Sequence, residues 1–473
     1  MDLIVSLVRS TWAVSYAAFS LTSFILTGFA IFGERTPNRV ANVVLSLTSN
    51  QYSEFPLIMF FLDLIFQSWL SVTGTFRKTF FTSQEQHRRN SHDVSPLARF
   101  VSYVNVVTAA GIVYLFKRSL ESQDVVENFL GQISKENKTE FKLPGVTSSK
   151  FWKQFMNPFH WPHNYILNEN IPYWNSKEQR YAMQTDGWES VLEMAVDVYR
   201  PDNVEGGHDR PVLMYIHGGG WTSGSKRLLG PLVTEMIAQN WVVVAVSHRL
   251  KTKDGYPTQL IDCKRALRWI REEVQTFGGD PFNVVVAGDS SGGQLAAMLA
   301  LTPNDPAYQH GFEKIDTSVQ GCLVQSATLD LVDANDYSAA NGRERFIREV
   351  ALRPGFPESA ENIAFLKEHS PLYKVEGTNV PFLVVHGDLD MCPVETARDF
   401  VKEFRKKSSA SISYLEIPGG HHCFEMLSSP RTWYTTIATA EWLNHNFNKA
   451  DRSVNDKKIA RVHELVEWWH ENN

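Results

Sequence analysis

The stretch Val285-Val286-Ala287-Gly288-Asp289-Ser290-Ser291-Gly292-Gly293 decides how the chain folds: an apolar, largely β-branched run ends in a glycine-framed serine and leads into Gln294-Leu295-Ala296-Ala297-Met298-Leu299-Ala300. This reads as buried strand, tight turn and helix, with Ser290 at the apex. Gly288 and Gly292 suit a turn whose backbone is strained and whose flanking chains pack closely. Alone, a G-x-S-x-G pattern is a weak signal, so its weight comes from its surroundings.

From about Asn170 onward, short apolar runs alternate with helical patterns, which predicts a mostly parallel sheet with helices on both faces. Strands are expected over 191–198, 212–217, 241–247, 284–288, 320–325, 382–386 and 412–417. Helices are expected over 228–239, 258–277, 294–301, 394–407 and 432–444. Directly after the strand at 212 comes His217-Gly218-Gly219-Gly220-Trp221. Without side chains, the N–H groups of Gly219 and Gly220 can approach a ligand oxygen closely. Together with the N–H of Ser291 they would form an oxyanion hole, a set of fixed donors matched to charge that develops only in a transition state.

A serine hydroxyl is a poor nucleophile until a neighbouring base takes its proton, so a histidine and an orienting acid are required. In folds with this elbow the chain order is serine, acid, histidine. After Ser290 the sequence offers His386-Gly387-Asp388-Leu389-Asp390 at a strand end, then Pro418-Gly419-Gly420-His421-His422-Cys423-Phe424 after the last strand. Spacing alone leaves the acid open between Asp388 and Asp390, and the base between His421 and His422.

These four motifs together resemble the hormone-sensitive-lipase-like esterases of the α/β-hydrolase fold, over roughly residues 170–447. The run Leu299-Ala300-Leu301-Thr302-Pro303-Asn304-Asp305-Pro306 also resembles membrane- or envelope-associated carboxylesterases of that group, and arylacetamide deacetylases are similar in joining an N-terminal anchor to a lumenal hydrolase. The resemblance implies Ser290 as nucleophile, Asp390 as the acid that ends the family's G-x-x-D motif, and His422 as the base of its H-x-F motif. Ser291 stands where the family usually has alanine, and only its backbone N–H is needed. The resemblance further implies a cap over the site from about 327 to 380, with no cofactor and no metal.

Other conspicuous residues read more plainly. His217 is expected to brace its own loop, Trp221 to pack beneath that loop or line an acyl pocket, and Asp289 to be structural. Cys263, Cys322, Cys392 and Cys423 are too few and scattered for a disulfide scaffold and form no C-x-x-C pair. Cys392 and Cys423 flank the acid and the base, and buried free thiols are the default for them.

At 473 residues, 43% hydrophobic and 12% aromatic, the chain can bury a large core over two to four domains, and its formal charge of -6 gives no basic footprint for nucleic acid. The front end differs in texture. Between Arg9 and Glu34 there is no charge, and 10–33 is long enough at about 1.5 Å per residue to cross a bilayer. Runs at 55–76, which contains Pro56 and Asp63, and at 100–116 are further candidate spans. With three spans, six basic residues (Arg9, Arg77, Lys78, Arg88, Arg89, Arg99) oppose five (Arg35, Arg39, Lys117, Arg118, Lys135), which puts the C-terminal part outside the cytoplasm, on a lumenal side. Residues 117–150 read as polar and loop-like, and 119–169 as a linker that includes the aromatic run 151–161. The tail 448–473 is charged, with an amphipathic stretch at 459–469 and no chemistry. The expectation is therefore an α/β-hydrolase domain over 170–447 behind a helical membrane region over 1–118. Such a protein would cleave carboxylic esters of short-to-medium acyl chains or of lipids through an acyl-enzyme. An amide hydrolase with the same triad, or a non-catalytic binding protein on this fold, are the alternatives.

Overall fold

The structure is a computed structural model that describes residues 2–32, parts of 52–65, 96–137, a few of 143–152, 165–185, 194–202, 209–250, 255–337, 359–427 and 429–448. The aromatic run 151–161 other than Trp152, much of the second apolar run, the middle of the expected cap and the C-terminal tail lie outside these residues.

Eight strands form one sheet: β1 (Tyr165–Pro172), β2 (Ala195–Pro201), β3 (Arg210–Ile216), β4 (Val242–Val246), β5 (Gly279–Asp289), β6 (Gly321–Gln325), β7 (Phe382–Gly387) and β8 (Ile412–Ile417), in the order β1-β2-β4-β3-β5-β6-β7-β8. β1 and β2 are antiparallel additions at one edge, and β4 through β8 with β3 run parallel. That order, with helical crossovers on both faces, is the α/β-hydrolase fold.

The central strands carry continuous apolar runs, Val212–Ile216, Val242–Val246, Val284–Ala287 and Phe382–Val385, because both faces are covered. On one face Val212, Met214 and Ile216 share a core with Val284, Val286 and Val324, while Leu213, Tyr215, Val285, Ala287 and Leu323 point to the other. This strict alternation is the period of two of a pleated strand. The helices divide accordingly. α5 (Thr258–Glu273), α6 (Ser290–Leu301) and α8 (Val394–Lys407) supply Leu260, Leu295, Phe400 and their neighbours to the first core; α4 (Pro231–Ala238) and α9 (Pro430–Phe447) supply Val233, Met236, Tyr434 and Leu443 to the second.

Three elements depart from the sequence expectation. The sheet starts at Tyr165 inside the expected linker, because β1 is an edge strand, half-exposed with only weak alternation, and so carries little apolar signal. A short helix, α3 (Ser176–Thr185), follows it. The largest departure is α2 (Pro96–Asn137), a single helix of 42 residues where a helix ending near 116 and then a loop were expected. Its polar second half is amphipathic: Val126, Phe129 and Leu130 recur at three- and four-residue spacing and are buried in the second core. Charged residues on the opposite face hid that stripe.

The first helix, α1 (Asp2–Phe32), lies against α2 through a small cluster of Ala30, Tyr52, Ile112 and Leu115. In α2 the stretch Phe100–Ile133 is long and apolar enough to cross a membrane by length and composition. Its outward face, with Phe100, Tyr103, Val106, Val107 and Val113, is exposed. Leu130→Ala is expected to lower the unfolding free energy by about 2–5 kcal/mol, the range for a core leucine. Urea denaturation checks this, and a change below about 0.5 kcal/mol, as for an exposed loop residue, would show that this segment is not docked.

Candidate active site

The site is assembled where four parallel strands end, β3, β5, β7 and β8. β5 stops at Asp289, and Ser290 turns the chain into α6 with φ of 52°, a left-handed conformation that non-glycine residues avoid. The turn closes only because the next crossing is bare. A Cβ on Gly292 would stand 2.2 Å from the carbonyl oxygen of Ile216 at the end of β3. The Ser290 hydroxyl is thereby lifted clear of the sheet.

Ser290 Oγ lies 2.9 Å from His422 Nε2, and His422 Nδ1 lies 2.7 Å from Asp390 Oδ1. The Asp390 side chain is fully buried, and its Oδ1 also accepts the backbone N–H of Cys392 at 2.6 Å. Burial by itself would raise the proton affinity of Asp390. The neighbouring His422 and His386 rings and the hydrogen bonds outweigh it and hold the carboxyl down at about 2. Burial likewise works to lower His422, but the Asp390 carboxylate overrides it and raises the ring well above an ordinary histidine. The arrangement is a hydroxyl, a base and a permanently ionised acid in one line. It can take a proton from Ser290 and stabilise the imidazolium that results.

The two rival residues are engaged elsewhere. Asp388 accepts Gly419 N–H at 2.6 Å and Arg118 Nη2 at 2.7 Å, and His421 Nε2 lies 2.9 Å from the carbonyl oxygen of Ala30. Gly219 has φ of +124°, and a Cβ there would stand 2.1 Å from Ser223 O, so the loop after β3 tolerates only glycine at this point. The Gly219 carbonyl accepts Ser223 N–H at 3.1 Å, which turns the peptide over. Among the described residues, no hydrogen bond is made by the N–H groups of Gly219 or Gly220. The Ser291 hydroxyl accepts Trp221 N–H at 3.2 Å, joining that loop to the first turn of α6.

Asp289 does more than its sequence position suggests. Its buried carboxylate accepts Tyr215 Oη at 2.8 Å and Gly218 N–H at 3.1 Å, so the residue before Ser290 ties β3 and the glycine loop to the elbow. His217 stacks on His248 at 4.6 Å with Nδ1 2.7 Å from Gly218 O, and Trp221 is buried with Nε1 donating to Gln294 Oε1 at 3.2 Å. Ser326 and Glu425 went unnoticed in the sequence. Ser326 Oγ donates to Glu425 at 3.0 Å and accepts Cys423 N–H at 3.3 Å, which anchors the residue after His422. Burial and the nearby Asp289 push Glu425 up to about 8.

The four cysteines are free thiols. Cys392 Sγ is 3.5 Å from His422 Nδ1, and Asp390, Cys392 and His422 present ligand atoms within 4.8 Å of one another. An ion held there would take His422 away from Asp390 and so oppose the relay.

Residues 196–404 match the family model described as BD-FAE. Esterase LipQ of Mycobacterium tuberculosis is 32% identical over 283 residues, 58% of this chain and 65% of that one. Probable carboxylic ester hydrolase LipM of the same organism is 34% identical over 250 residues, 52% of this chain and 57% of its own. The chain thus spans under two thirds of the length of either relative. The crystal structure of esterase B from Lactobacillus Rhamnosis aligns with a TM-score of 0.49 at 18% identity, covering 72% of this chain and 98% of that one. Removing the carboxylate in Asp289→Ala strands a buried hydroxyl and a backbone donor, and is expected to lower stability by about 2–4 kcal/mol. Thermal unfolding checks this, with Asp289→Asn recovering part of the loss.

Proposed function

We propose that this chain, a relative of the hormone-sensitive-lipase-like carboxylesterases, hydrolyses carboxylic esters through an acyl-enzyme on Ser290. The observation that carries the reading is the unbroken line from Ser290 Oγ to His422 Nε2 and from His422 Nδ1 to Asp390 at 2.9 and 2.7 Å. His422 takes the hydroxyl proton as Oγ attacks the carbonyl, then returns it to the leaving alkoxide. It next takes a proton from the water that attacks the acyl carbonyl and hands it to Ser290 Oγ as the acyl–Oγ bond breaks, which releases the acid and regenerates the enzyme. Asp390 keeps His422 in the right tautomer and offsets its charge. The N–H groups of Gly219, Gly220 and Ser291 receive the oxygen that becomes negative in each tetrahedral intermediate. An amide hydrolase would use the same groups and differ in its leaving group alone, and hydrolysis of an anilide against its matched ester separates the two.

The reading extends to location. The unburied apolar face of α2 and the uncharged part of α1 after Arg9 support a membrane-anchored enzyme whose catalytic domain lies on the lumenal side. Asn137-Lys138-Thr139 is an acceptor sequon usable only on the lumenal side, and a glycosidase-sensitive mass shift in cells tests that side.

Two outcomes follow for activity. Ser290→Ala is expected to abolish hydrolysis of short p-nitrophenyl esters and labelling by a fluorophosphonate, with the near-ultraviolet circular dichroism unchanged; full activity in that variant overturns the assignment. Because His422 must be neutral to act as base, kcat/KM should rise with pH, with a midpoint above the ~6.5 of an ordinary histidine. In Asp390→Asn the midpoint should move down, since the anion that raises His422 is gone, while kcat falls about 10⁴-fold.

A further inference from the structure

The loop that carries His422 is gripped by residues from the far N-terminal part of the chain. Ser53 Oγ donates to Gly419 O at 3.1 Å and accepts Arg431 Nη1 at 3.3 Å. Glu54 forms an ion pair with Arg431, both side chains being fully buried, and its other oxygen accepts Ser429 Oγ at 2.5 Å. Arg431 reaches back through Nε to Pro418 O at 3.0 Å. Glu54 therefore holds the C-terminal end of the 418–431 segment through Arg431 and through Ser429, the N-cap of α9, while Arg431 and Ser53 carry that hold across to Pro418 and Gly419 at the other end. From α1, the Ala30 carbonyl lies 2.9 Å from Nε2 of His421, the residue next to His422. From α2, Arg118 pairs with Asp388, which in turn accepts the Gly419 N–H.

Nothing in the hydrolytic chemistry needs these residues, and the α/β-hydrolase sheet is complete without them. Yet every connection ends on the one loop whose placement decides whether His422 reaches Ser290. Cys423, directly after the base, has φ of 55°, so the loop is held in a conformation that it would not keep by itself. A fully buried charge pair is a poor source of stability but a strong fixer of geometry, because no second arrangement satisfies both charges away from water.

We propose that Glu54 is a positioning residue for the base: with Ser53 and the end of α1, it clamps the 418–431 loop so that the N-terminal helical region is a working part of the catalytic centre. This rests on the ester-hydrolase reading above.

The test uses the full-length protein in detergent micelles or membranes. Glu54→Gln keeps the side-chain shape and removes the charge. It is expected to lower kcat about 10–100-fold, as a displacement of catalytic groups near 1 Å does, with KM within about threefold of wild type. The rate of fluorophosphonate labelling should fall in the same proportion, and the pH midpoint of kcat should shift. Ser53→Ala should give a smaller drop of the same kind, and Glu54→Asp should recover part of the activity. Glu178→Gln, which breaks the pair with Arg268 away from the site, is the control for general loosening and should leave kcat unchanged. Wild-type kcat and labelling in folded Glu54→Gln overturn the proposal, as does an equal loss in Glu178→Gln. Where Glu54→Gln does not accumulate, Ser53→Ala decides, and unchanged kcat and labelling there overturn it. Ser290→Ala, run alongside, tests the hydrolase reading separately.

Discussion

Everything in the site depends on the reversal of the chain at Ser290. A non-glycine residue in the left-handed region costs roughly 1–3 kcal/mol and persists only where its surroundings dictate it. Here they do so from three directions. Gly292 lets α6 approach the end of β3, Asp289 fixes the incoming strand to Tyr215 and Gly218, and the Ser291 hydroxyl holds the glycine loop at Trp221. The strain buys a hydroxyl that faces out of the sheet's carboxyl edge, and the same bonds tie the glycine loop to the elbow.

The electrostatics of the site separate two kinds of carboxyl. Asp390 and Glu425 are both buried, the first against His422 and the second on the loop that carries it, but their environments push them in opposite directions. Asp390 is held ionised at about 2 by the histidines and hydrogen bonds around it, whereas Glu425, next to the Asp289 carboxylate, is pushed up to about 8. One acid is thus charged and the other neutral at neutral pH. Only a charged acid can support an imidazolium, and a second anion behind the loop would compete with it.

Much of this was legible in the chain because each motif sits at the end of an apolar run. The strands at 212, 284, 382 and 412 are buried on both faces, so they read as continuous β-branched segments, and their ends lead to the loops that hold Gly219, Ser290, Asp390 and His422. Spacing could not separate Asp388 from Asp390 or His421 from His422, since both members of each pair are anchored at the same loop. What differs is the partner: Asp388 and His421 turn toward α2 and α1, the elements whose docking had no local signal. The half-exposed edge strand β1 and the second half of α2 were hidden for a related reason. Their apolar residues are sparse and set among charges, and their burial is decided by tertiary packing alone.

The same reasoning explains why Glu54 could not be read from the sequence. It ends the polar stretch Ser49-Asn50-Gln51-Tyr52-Ser53-Glu54 just before the apolar run 55–76, where a carboxyl suggests an exposed loop, and its partner Arg431 is over three hundred residues away. Burying both charges removes their hydration, a cost that the pair offsets with help from Ser53, Ser429 and the Pro418 carbonyl, which satisfy most of the remaining donors and acceptors and leave Arg431 Nη2 over. A well-packed apolar pair would have been at least as stable at that position. What an apolar pair would lack is direction: the guanidinium and carboxylate accept one mutual orientation, and that orientation sets the two ends of the loop on which the base is carried. A shift of Glu54 therefore bears on the segment that carries His422.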